Sequence, residues 1–219
     1  MELAKYIEHT LLKPACNSQV ITQLCDEAKQ YGFAGVCIPP FFVRHATSQL
    51  EGSGVRVATV IGFPMGYSTI PAKVEEVKRA VDEGVDELDM VANICAIKDN
   101  KWAYVQNDLD AVIRAAHLHG KTLKVIIEAG LLTNDEIKKI CDVAMEVGAD
   151  YIKTSTGFNT DPTTPDMIRR IKGYINPATK IKASGGIRTR EQAEQLIQAG
   201  AHRIGTSSSL QIIGATPKK

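Results

Sequence analysis

The chain has 219 residues, of which 44% are hydrophobic and 23% are charged, and its formal net charge is +1. This composition is that of an average soluble globular protein, which excludes a disordered or membrane-spanning chain. A near-neutral balance without long runs of one charge also does not suit a nucleic-acid-binding surface. We therefore expect a single domain over residues 1–219 with neither nucleic acid nor a membrane as partner.

The cysteines and the N-terminal segment favour the cytoplasm. Five cysteines are scattered along the chain, and an odd number without a CxxC pair does not suit a secreted disulfide framework. The first residues, MELAKYIEHTLLKP, include acidic side chains and no long apolar run, so they resemble neither a secretory signal nor a membrane anchor. We predict reduced thiols and a cytoplasmic protein.

Short runs rich in Val and Ile alternate with longer amphipathic stretches along the chain. This alternation predicts βα units around a parallel sheet. The predicted strands are residues 7–11, 35–38, 56–61, 87–91, 122–128, 151–154, 180–184 and 203–205. The predicted helices are residues 18–30, 41–50, 71–83, 102–119, 134–146, 165–174 and 190–198.

Local signals mark the ends of these helices. Thr133 precedes Glu136 by three residues and Thr189 precedes Gln192 by three, which is the spacing of a capping box. Glycine follows the last predicted turn of several helices, where a left-handed residue closes a helix well. These glycines are Gly32, Gly84, Gly120, Gly148 and Gly200.

Two architectures fit this pattern, a closed barrel and a doubly wound open sheet, and periodicity alone does not separate them. Polar residues fall at the C-terminal ends of many predicted strands. Active sites of α/β barrels assemble from several βα loops at that end of the strands. We therefore predict an α/β protein with a single (β/α)8 TIM barrel.

Charged residues interrupt four of the apolar strands. They are Asp89 in ELDMV, Glu128 in KVIIEAG, Lys153 in YIKTSTG and Lys182 in KIKASGG. For any one strand lysine, the simplest interpretation is a side chain that reaches solvent along its aliphatic stem. Four such residues together favour a polar site inside the barrel, because an unpaired buried charge is costly.

Lys153 and Lys182 lie late in adjacent predicted strands, and neither strand contains an acidic residue. Two ammonium groups at one barrel mouth repel each other. This repulsion and desolvation are expected to lower a lysine pKa and leave a neutral amine that can attack a carbonyl. Asp89 could offset the remaining charge and relay protons. The catalytic residues predicted for imine chemistry are thus Asp89, Lys153 and Lys182.

Glycine-rich segments follow the last two predicted strands, at residues 184–188 (SGGIR) and 205–209 (GTSSS). Barrels often bind a substrate phosphate there, through backbone N–H groups that only glycine lets a ligand approach. The alternative is that both segments are ordinary turns. Their occurrence in the two loops that a phosphate site needs favours a small phosphorylated substrate.

Metal and nucleotide sites find little support in the sequence. Among the histidines only His117 and His119 are close, and their i,i+2 spacing on a predicted helix directs them to different faces. Neither a GxGxxG nor a Walker-type loop is present. Cys37 ends a strand and could face the pocket as a nucleophile, but the sequence shows no histidine partner for it, and the role of a small buried hydrophobic residue suits it better. We predict neither metal nor organic cofactor.

The chain resembles deoxyribose-phosphate aldolase, in its shorter bacterial and archaeal form. The resemblance runs through IEHTLLKP, GVCIPP, ATVIGFPMG, DELDMV, KVIIEAGLL, YIKTSTGF, KASGGIRT and RIGTSSS. It implies a cofactor-free class I aldolase of deoxynucleoside breakdown. The implied reaction is the reversible cleavage of 2-deoxy-D-ribose 5-phosphate to acetaldehyde and D-glyceraldehyde 3-phosphate, and the family's usual assembly is a homodimer.

By this resemblance Lys153 is the Schiff-base lysine, Lys182 the second lysine that tunes it, and Asp89 the carboxylate that relays protons. The implied contacts to phosphate and sugar are Thr156, Gly185, Gly186, Gly205, Ser207, Ser208, Arg188, Thr10 and Cys37. The chain departs from the family at Phe158, where longer members carry a lysine that helps to hold phosphate. Its tail, residues 216–219, also lacks the terminal tyrosine of some relatives.

Two other functions remain open at this point. One is a different phosphate-binding TIM-barrel lyase or an isomerase, which would use a carboxylate base without an imine-forming lysine. The other is a non-catalytic sugar-phosphate-binding module, which would predict a broken catalytic trio.

Overall fold

The computed structural model describes residues 2–159 and 162–215. Within them eight parallel strands pair in chain order, and the last pairs with the first to close a barrel, which confirms the predicted TIM barrel. The strands are β1 (Ile7–Thr10), β2 (Gly35–Ile38), β3 (Arg56–Ile61), β4 (Glu87–Val91), β5 (Thr122–Ile126), β6 (Tyr151–Lys153), β7 (Lys180–Ser184) and β8 (Arg203–Thr206). Residues 216–219, where the sequence lacks the tyrosine, lie outside the described residues.

Helices surround the barrel and follow the strands. They are α1 (Ser18–Tyr31), α2 (Val43–Leu50), α3 (Ile70–Asp82), α4 (Ile94–Lys98), α5 (Trp102–His117), α6 (Asn134–Glu146), α7 (Pro165–Tyr174), α8 (Arg190–Ala199) and α9 (Ser209–Ile213). Both predicted capping boxes are present, at Thr133 with Glu136 and at Thr189 with Gln192. At the end of α1, Gly32 adopts the predicted left-handed backbone with a φ of 63°.

The structure corrects several predicted boundaries. The fifth strand ends at Ile126 and does not reach Glu128, which has a left-handed φ of 38°. The second helical region divides into a 3-10 turn, Pro40–Phe42, and α2. The short helices α4 and α9 were not predicted, because five residues are too few to show a helical period. Other bounds differ by one or two residues.

The alternation of side chains along each strand explains why the barrel holds charges. In β4 the side chains of Leu88 and Met90 belong to the main hydrophobic core. The alternate residues Glu87 and Asp89 form buried ion pairs. Successive side chains of a strand point to opposite faces, so one face packs on the helices and the other fills the barrel.

Strand register then brings the charged positions together. Asp89 of β4 pairs with Lys124 of β5, and Lys153 of β6 pairs with Lys182 of β7. Each pair is thus placed side by side by backbone hydrogen bonding alone.

Candidate active site

The predicted trio meets inside the barrel. Lys153 Nζ donates a hydrogen bond to Asp89 Oδ2 at 2.8 Å, and Lys182 Nζ donates to the same oxygen at 2.6 Å. Asp89 and Lys182 have no exposed surface, and Lys153 is 3% exposed. One carboxylate therefore bridges two buried lysine ammonium groups.

Further charged residues that the sequence analysis did not single out complete this cluster. Lys124 Nζ lies 2.8 Å from Asp89 Oδ1 and 2.6 Å from Glu87 Oε2. Glu8 accepts a hydrogen bond from Lys182 and lies 3.2 Å from Arg203 Nη1. Arg56, on the exposed side, bonds to Glu87 at 2.8 Å and links the cluster to solvent.

The same signal that marked Asp89 could have revealed the missed residues. Lys124 interrupts the apolar run TLKVI two residues after the strand begins, and Glu8 interrupts IEHT. Both lie in predicted strands, where a charged side chain needs a partner if it faces the interior. Their partners come from strands distant in the chain, so the sequence alone did not pair them.

The pKa of Lys182 is raised, so the lowering expected for a lysine of the pair does not occur at Lys182. Burial opposes its charge, but Asp89 and Glu8 outweigh burial and the repulsion from Lys124. The pKa of Lys124 is likewise raised well above its ordinary value, because Asp89, Glu8 and Glu87 together outweigh its burial. The expectation considered repulsion and desolvation, and it left out Glu8, which contributes to the raised pKa of Lys182.

The carboxylates shift in the complementary direction. Burial would raise the pKa of Asp89, but Lys124, Lys153 and Lys182 hold it well below its ordinary value. The pKa of Glu87 is lowered to about 2, because Lys124 and Arg203 outweigh its burial. Asp89 is therefore ionised at neutral pH and accepts hydrogen bonds there.

A cavity of about 340 Å³ opens at the C-terminal end of the barrel strands, and Lys153 lies in its wall. Most of the predicted substrate contacts share this cavity. Thr10, Thr156, Gly185, Gly186, Arg188, Gly205 and Ser207 all line it, together with Lys13 and Phe158. Asp89 and Lys182 are not in its wall, so Lys153 is the member of the trio that faces the cavity.

Two predicted contacts lie elsewhere. Cys37 is fully buried in a small apolar cluster with Ala58 and Val60, and burial raises the pKa of its thiol to about 11. Ser208 is absent from the cavity wall, and its N–H donates to Thr206 Oγ1 at 2.9 Å. These positions do not bring the thiol or the Ser208 amide into the cavity.

Backbone donors remain free near the glycine-rich turns. The N–H groups of Gly185, Gly186 and Ser207 have no hydrogen-bond acceptor among residues 2–159 and 162–215. The turn at Gly185 has a φ of 96° and that at Gly186 a φ of 71°, values that favour glycine. Such unpaired amides beside a cavity suit an anionic ligand.

Glu128 holds the loop that follows β6. Its carboxylate accepts hydrogen bonds from the hydroxyl of Thr156 and, at 3.2 Å, from the Thr156 N–H. The Thr156 hydroxyl in turn accepts from the Phe158 N–H at 3.1 Å. Glu128, which the sequence placed among the interior charges, thus shapes the cavity wall and is not part of the lysine cluster.

The ends of β6 and β7 are joined by hydroxyl groups. Thr154 Oγ1 donates to the Ser184 carbonyl and accepts from the Ser184 N–H, both at 3.0 Å. Ser184 Oγ donates to the Ser155 carbonyl at 2.6 Å. These bonds fix Lys153 and the Gly185 turn relative to each other.

Among the described residues, the side-chain ligand atoms of Glu8, Cys37 and Asp89 come within 4.8 Å of one another, a spacing that would suit a metal ion. Both carboxylates are already bound by the Lys182 ammonium, which a metal ion would have to displace. His117 is paired with Asp150 at 2.9 Å.

No helix in the described ranges combines the length and the apolar character needed to cross a membrane.

Known proteins share both the sequence and the fold. Deoxyribose-phosphate aldolase from Thermococcus kodakarensis is 48% identical over 218 residues, which is 99% of this chain and 97% of the relative. The enzyme of the same name from Desulfitobacterium hafniense is 49% identical over 213 residues, 97% of this chain and 98% of the relative.

Solved structures agree. A deoxyribose phosphate aldolase from Aeropyrum pernix, described as tetrameric, superposes with a TM-score of 0.90 at 32% identity, covering 97% of this chain and 89% of that one. An aldolase called QR15 has a TM-score of 0.93 at 40% identity, covering 98% of this chain and 95% of that one. The sequence profile described as "DeoC/LacD family aldolase" matches residues 3–215. A lysine-rich barrel site, a matching profile and relatives of nearly equal length place this chain in the DeoC/LacD family of aldolases.

Proposed function

We propose that the protein cleaves 2-deoxy-D-ribose 5-phosphate reversibly to acetaldehyde and D-glyceraldehyde 3-phosphate, with an imine at Lys153 as the covalent intermediate. One observation carries the proposal: within the described residues, Lys153 is the amine that both faces the cavity and bonds to Asp89. The names of the relatives support the substrate.

The ion pairs of the cluster support Lys153 as the nucleophile. Within residues 2–159 and 162–215, three carboxylates meet four buried cations. The carboxylates are Glu8, Glu87 and Asp89, and the cations are Lys124, Lys153, Lys182 and Arg203. Lys124 and Lys182 each contact two of these carboxylates at less than 3 Å, and neither lies in the cavity wall. Of the three carboxylates, Lys153 contacts Asp89 alone, and it lines the cavity, so it is the amine of the cluster that a substrate carbonyl can reach.

In the cleavage direction the Lys153 amine attacks the C1 aldehyde of the open-chain sugar. The carbinolamine takes up a proton at oxygen and loses water to give a protonated imine. Loss of the C3 hydroxyl proton then breaks the C2–C3 bond and releases D-glyceraldehyde 3-phosphate. The electron pair of that bond remains as an enamine, because the iminium nitrogen accepts it.

The enamine next gains a proton at its terminal carbon and becomes the imine of acetaldehyde. Water adds to this imine, and acetaldehyde leaves while Lys153 returns to the free amine. We propose that Lys182 donates protons and that Asp89, with a bound water, passes them between Lys182 and the substrate. Asp89 also keeps the two lysine side chains in place.

We assign the substrate phosphate to the far end of the cavity from Lys153. The N–H groups of Gly185, Gly186 and Ser207 have no acceptor in the part of the chain that the structure describes, and the α8 N-terminus lies just beyond Arg188. Helix N-termini and glycine turns favour phosphate. The Thr156 hydroxyl donates its hydrogen bond to Glu128, so toward a sugar hydroxyl it can act only as an acceptor.

We also propose that residues 1–219 act as one catalytic domain in the cytoplasm and that two copies associate. The tetrameric form named for the Aeropyrum pernix relative offers a second assembly to test against. Light scattering on the purified protein distinguishes a dimer from a tetramer.

The test is capture of the imine. The protein is incubated with acetaldehyde, reduced with borohydride, and digested for peptide mass spectrometry. We expect one ethyl group on Lys153, lost in Lys153→Met and kept in the matched control Lys78→Met on the outer helix α3. Capture at Lys182 would exchange the roles of the two lysines. No adduct, with no cleavage of the sugar phosphate, would return the isomerase and binding-module functions to consideration.

A further inference from the structure

The cavity wall carries cations on two loops besides Lys153. Lys13 lies in the segment between β1 and α1, and Arg188 lies between β7 and α8. Within the described residues no carboxylate lines the cavity. An uncompensated positive lining raises the local concentration of an anionic ligand.

Both cations are exposed and unpaired. Neither the Lys13 ammonium nor the Arg188 guanidinium forms an ion pair with a described residue. Many surface cations of this chain behave differently: Lys98 lies 2.7 Å from Glu136 and Arg190 lies 2.9 Å from Glu194. Lys13 and Arg188 are thus available to a ligand without first breaking a contact within the described structure.

Barrel topology places these two side chains on either side of the turn after β8. Strands β7, β8 and β1 are consecutive around the closed barrel. The loops after them carry Arg188, Ser207 and Lys13, and all three residues line the cavity. A phosphate bound at the Gly205–Ser207 turn would therefore have a cation on each side.

The loop after β6 contributes an aromatic side chain to the cavity wall. Phe158, on the loop after β6, is half exposed and packs edge-to-face on Phe63 with ring centroids 5.3 Å apart. The described residues of that loop in the cavity wall, Thr156, Gly157 and Phe158, carry no charge. Among the described wall residues, the cations besides Lys153 come from the β1 and β7 loops.

We propose that Lys13 is a specificity residue that binds the substrate phosphate and, with Arg188, balances its charge of nearly −2. The inference rests on the proposed function and adds a residue that this function did not require. The phosphate keeps its charge throughout the reaction, so its contact with Lys13 is equal in ground state and transition state. Loss of such a contact raises KM and leaves kcat nearly unchanged.

The test compares 2-deoxyribose 5-phosphate with 2-deoxyribose. For Lys13→Met we expect the ratio of kcat/KM between the two substrates to fall about tenfold, through KM for the phosphorylated one, since a hydrogen bond to a charged group contributes about 1.5–3 kcal/mol. Lys13→Arg should restore most of the ratio. Lys78→Met, which removes an exposed charge from α3 outside the cavity, should leave the ratio at the wild-type value.

An unchanged ratio in Lys13→Met, with wild-type cleavage intact, would overturn the inference and leave the proposed function standing. An equal loss on both substrates would overturn it too, because that result indicates a collapsed loop. Calorimetric titration with inorganic phosphate tests the Lys13 contact separately from the proposed aldolase function. If the wild type shows no cleavage but binds phosphate more tightly than Lys13→Met, the function fails and the anion site remains.

Discussion

Lys124 Nζ donates a hydrogen bond to Asp89 Oδ1 at 2.8 Å and so holds the carboxylate that Lys153 contacts through its other oxygen. Lys124 has no exposed surface, and Glu87 is its second close partner at 2.6 Å. Lys124 therefore positions Asp89 for its contact with Lys153, although Lys124 is not in the cavity wall.

Replacing Lys124 should be costly. Lys124→Met removes the cation that contacts both Asp89 Oδ1 and Glu87 Oε2, and removal of one member of a buried ion pair costs about 3–5 kcal/mol. Urea unfolding followed by circular dichroism measures this loss. The double variant Lys124→Met/Glu87→Gln should recover part of it, because residue 87 then carries no charge for Lys124 to balance. Strictly additive losses would contradict the direct coupling of Lys124 with Glu87.

Glu87 should contribute to acid unfolding. Its folded pKa, lowered to about 2, lies below the ordinary glutamate value of about 4.3. The sign follows: its contribution to stability is complete above the ordinary value and is lost as pH falls toward the folded one. We expect the free energy of unfolding to fall less steeply between about pH 4.5 and pH 2 in Glu87→Gln than in the wild type. Equal slopes would show that Glu87 is not protonated on unfolding.

Glu8 should influence the alkaline side of the activity profile. Burial acts against the charge of Lys182, and Asp89 and Glu8 raise its pKa above the ordinary value. Glu8→Gln removes one of these carboxylates, so Lys182 should lose its proton at lower pH. If Lys182 is the proton donor, the alkaline limb of the kcat/KM profile moves to lower pH. An alkaline limb at the same pH in Glu8→Gln and the wild type would show that a group other than Lys182 donates the proton.

Gly186 should not accept a side chain. A Cβ there would lie 2.6 Å from Pro162 Cβ, and its φ of 71° adds strain. Gly186→Ala should shift the turn, and we expect KM for 2-deoxyribose 5-phosphate to rise roughly tenfold or more, as for loss of about 1.4 kcal/mol of binding. Gly173→Ala is the control, because a Cβ at that helical position meets no atom within 4 Å. Similar kinetics in both variants would show that the turn does not bind the phosphate.

Thr156 should be needed for its hydroxyl. Thr156→Val keeps the shape but leaves the buried Glu128 carboxylate without that donor and the Phe158 N–H without its acceptor. A hydrogen bond to a charged group contributes about 1.5–3 kcal/mol, so loss of the hydroxyl bond to Glu128 should lower the melting temperature and weaken sugar binding. Thr156→Ser retains the hydroxyl and should restore both, whereas failure of Ser to do so would assign the effect to the methyl group.

The sequence predicted the barrel well because its signals are local. The alternation of strands and helices and the capping boxes at Thr133 and Thr189 each depend on a few neighbouring residues. The trio of Asp89, Lys153 and Lys182 was brought together as expected, and their catalytic roles stay predictions. Lys153 alone among them reaches the cavity, which no sequence pattern indicates.

What could not be predicted depends on contacts between distant strands. Glu8 binds Lys182 across 174 residues of sequence, so its part in raising the Lys182 pKa could not be predicted from the strand that carries Lys182. Glu128 was read as an interior strand charge, yet the chain turns into a left-handed conformation there. Glu128 accepts hydrogen bonds from Thr156 on the loop after β6, and the apolar run before Glu128 gives no sign of this contact.

The pairing of Asp89 with Lys124 and of Lys153 with Lys182 in strand register has a consequence for folding. Side chains alternate between the two faces of a strand, so a slip of β5 by one residue would turn Lys124 out of the barrel and insert an apolar neighbour beside Asp89. A buried carboxylate that loses a cation is costly, whereas an exchange of one apolar side chain for another costs little. The charged interior thus selects one alignment of the strands among several that an all-apolar barrel would tolerate, and the residues proposed for catalysis also determine which barrel forms.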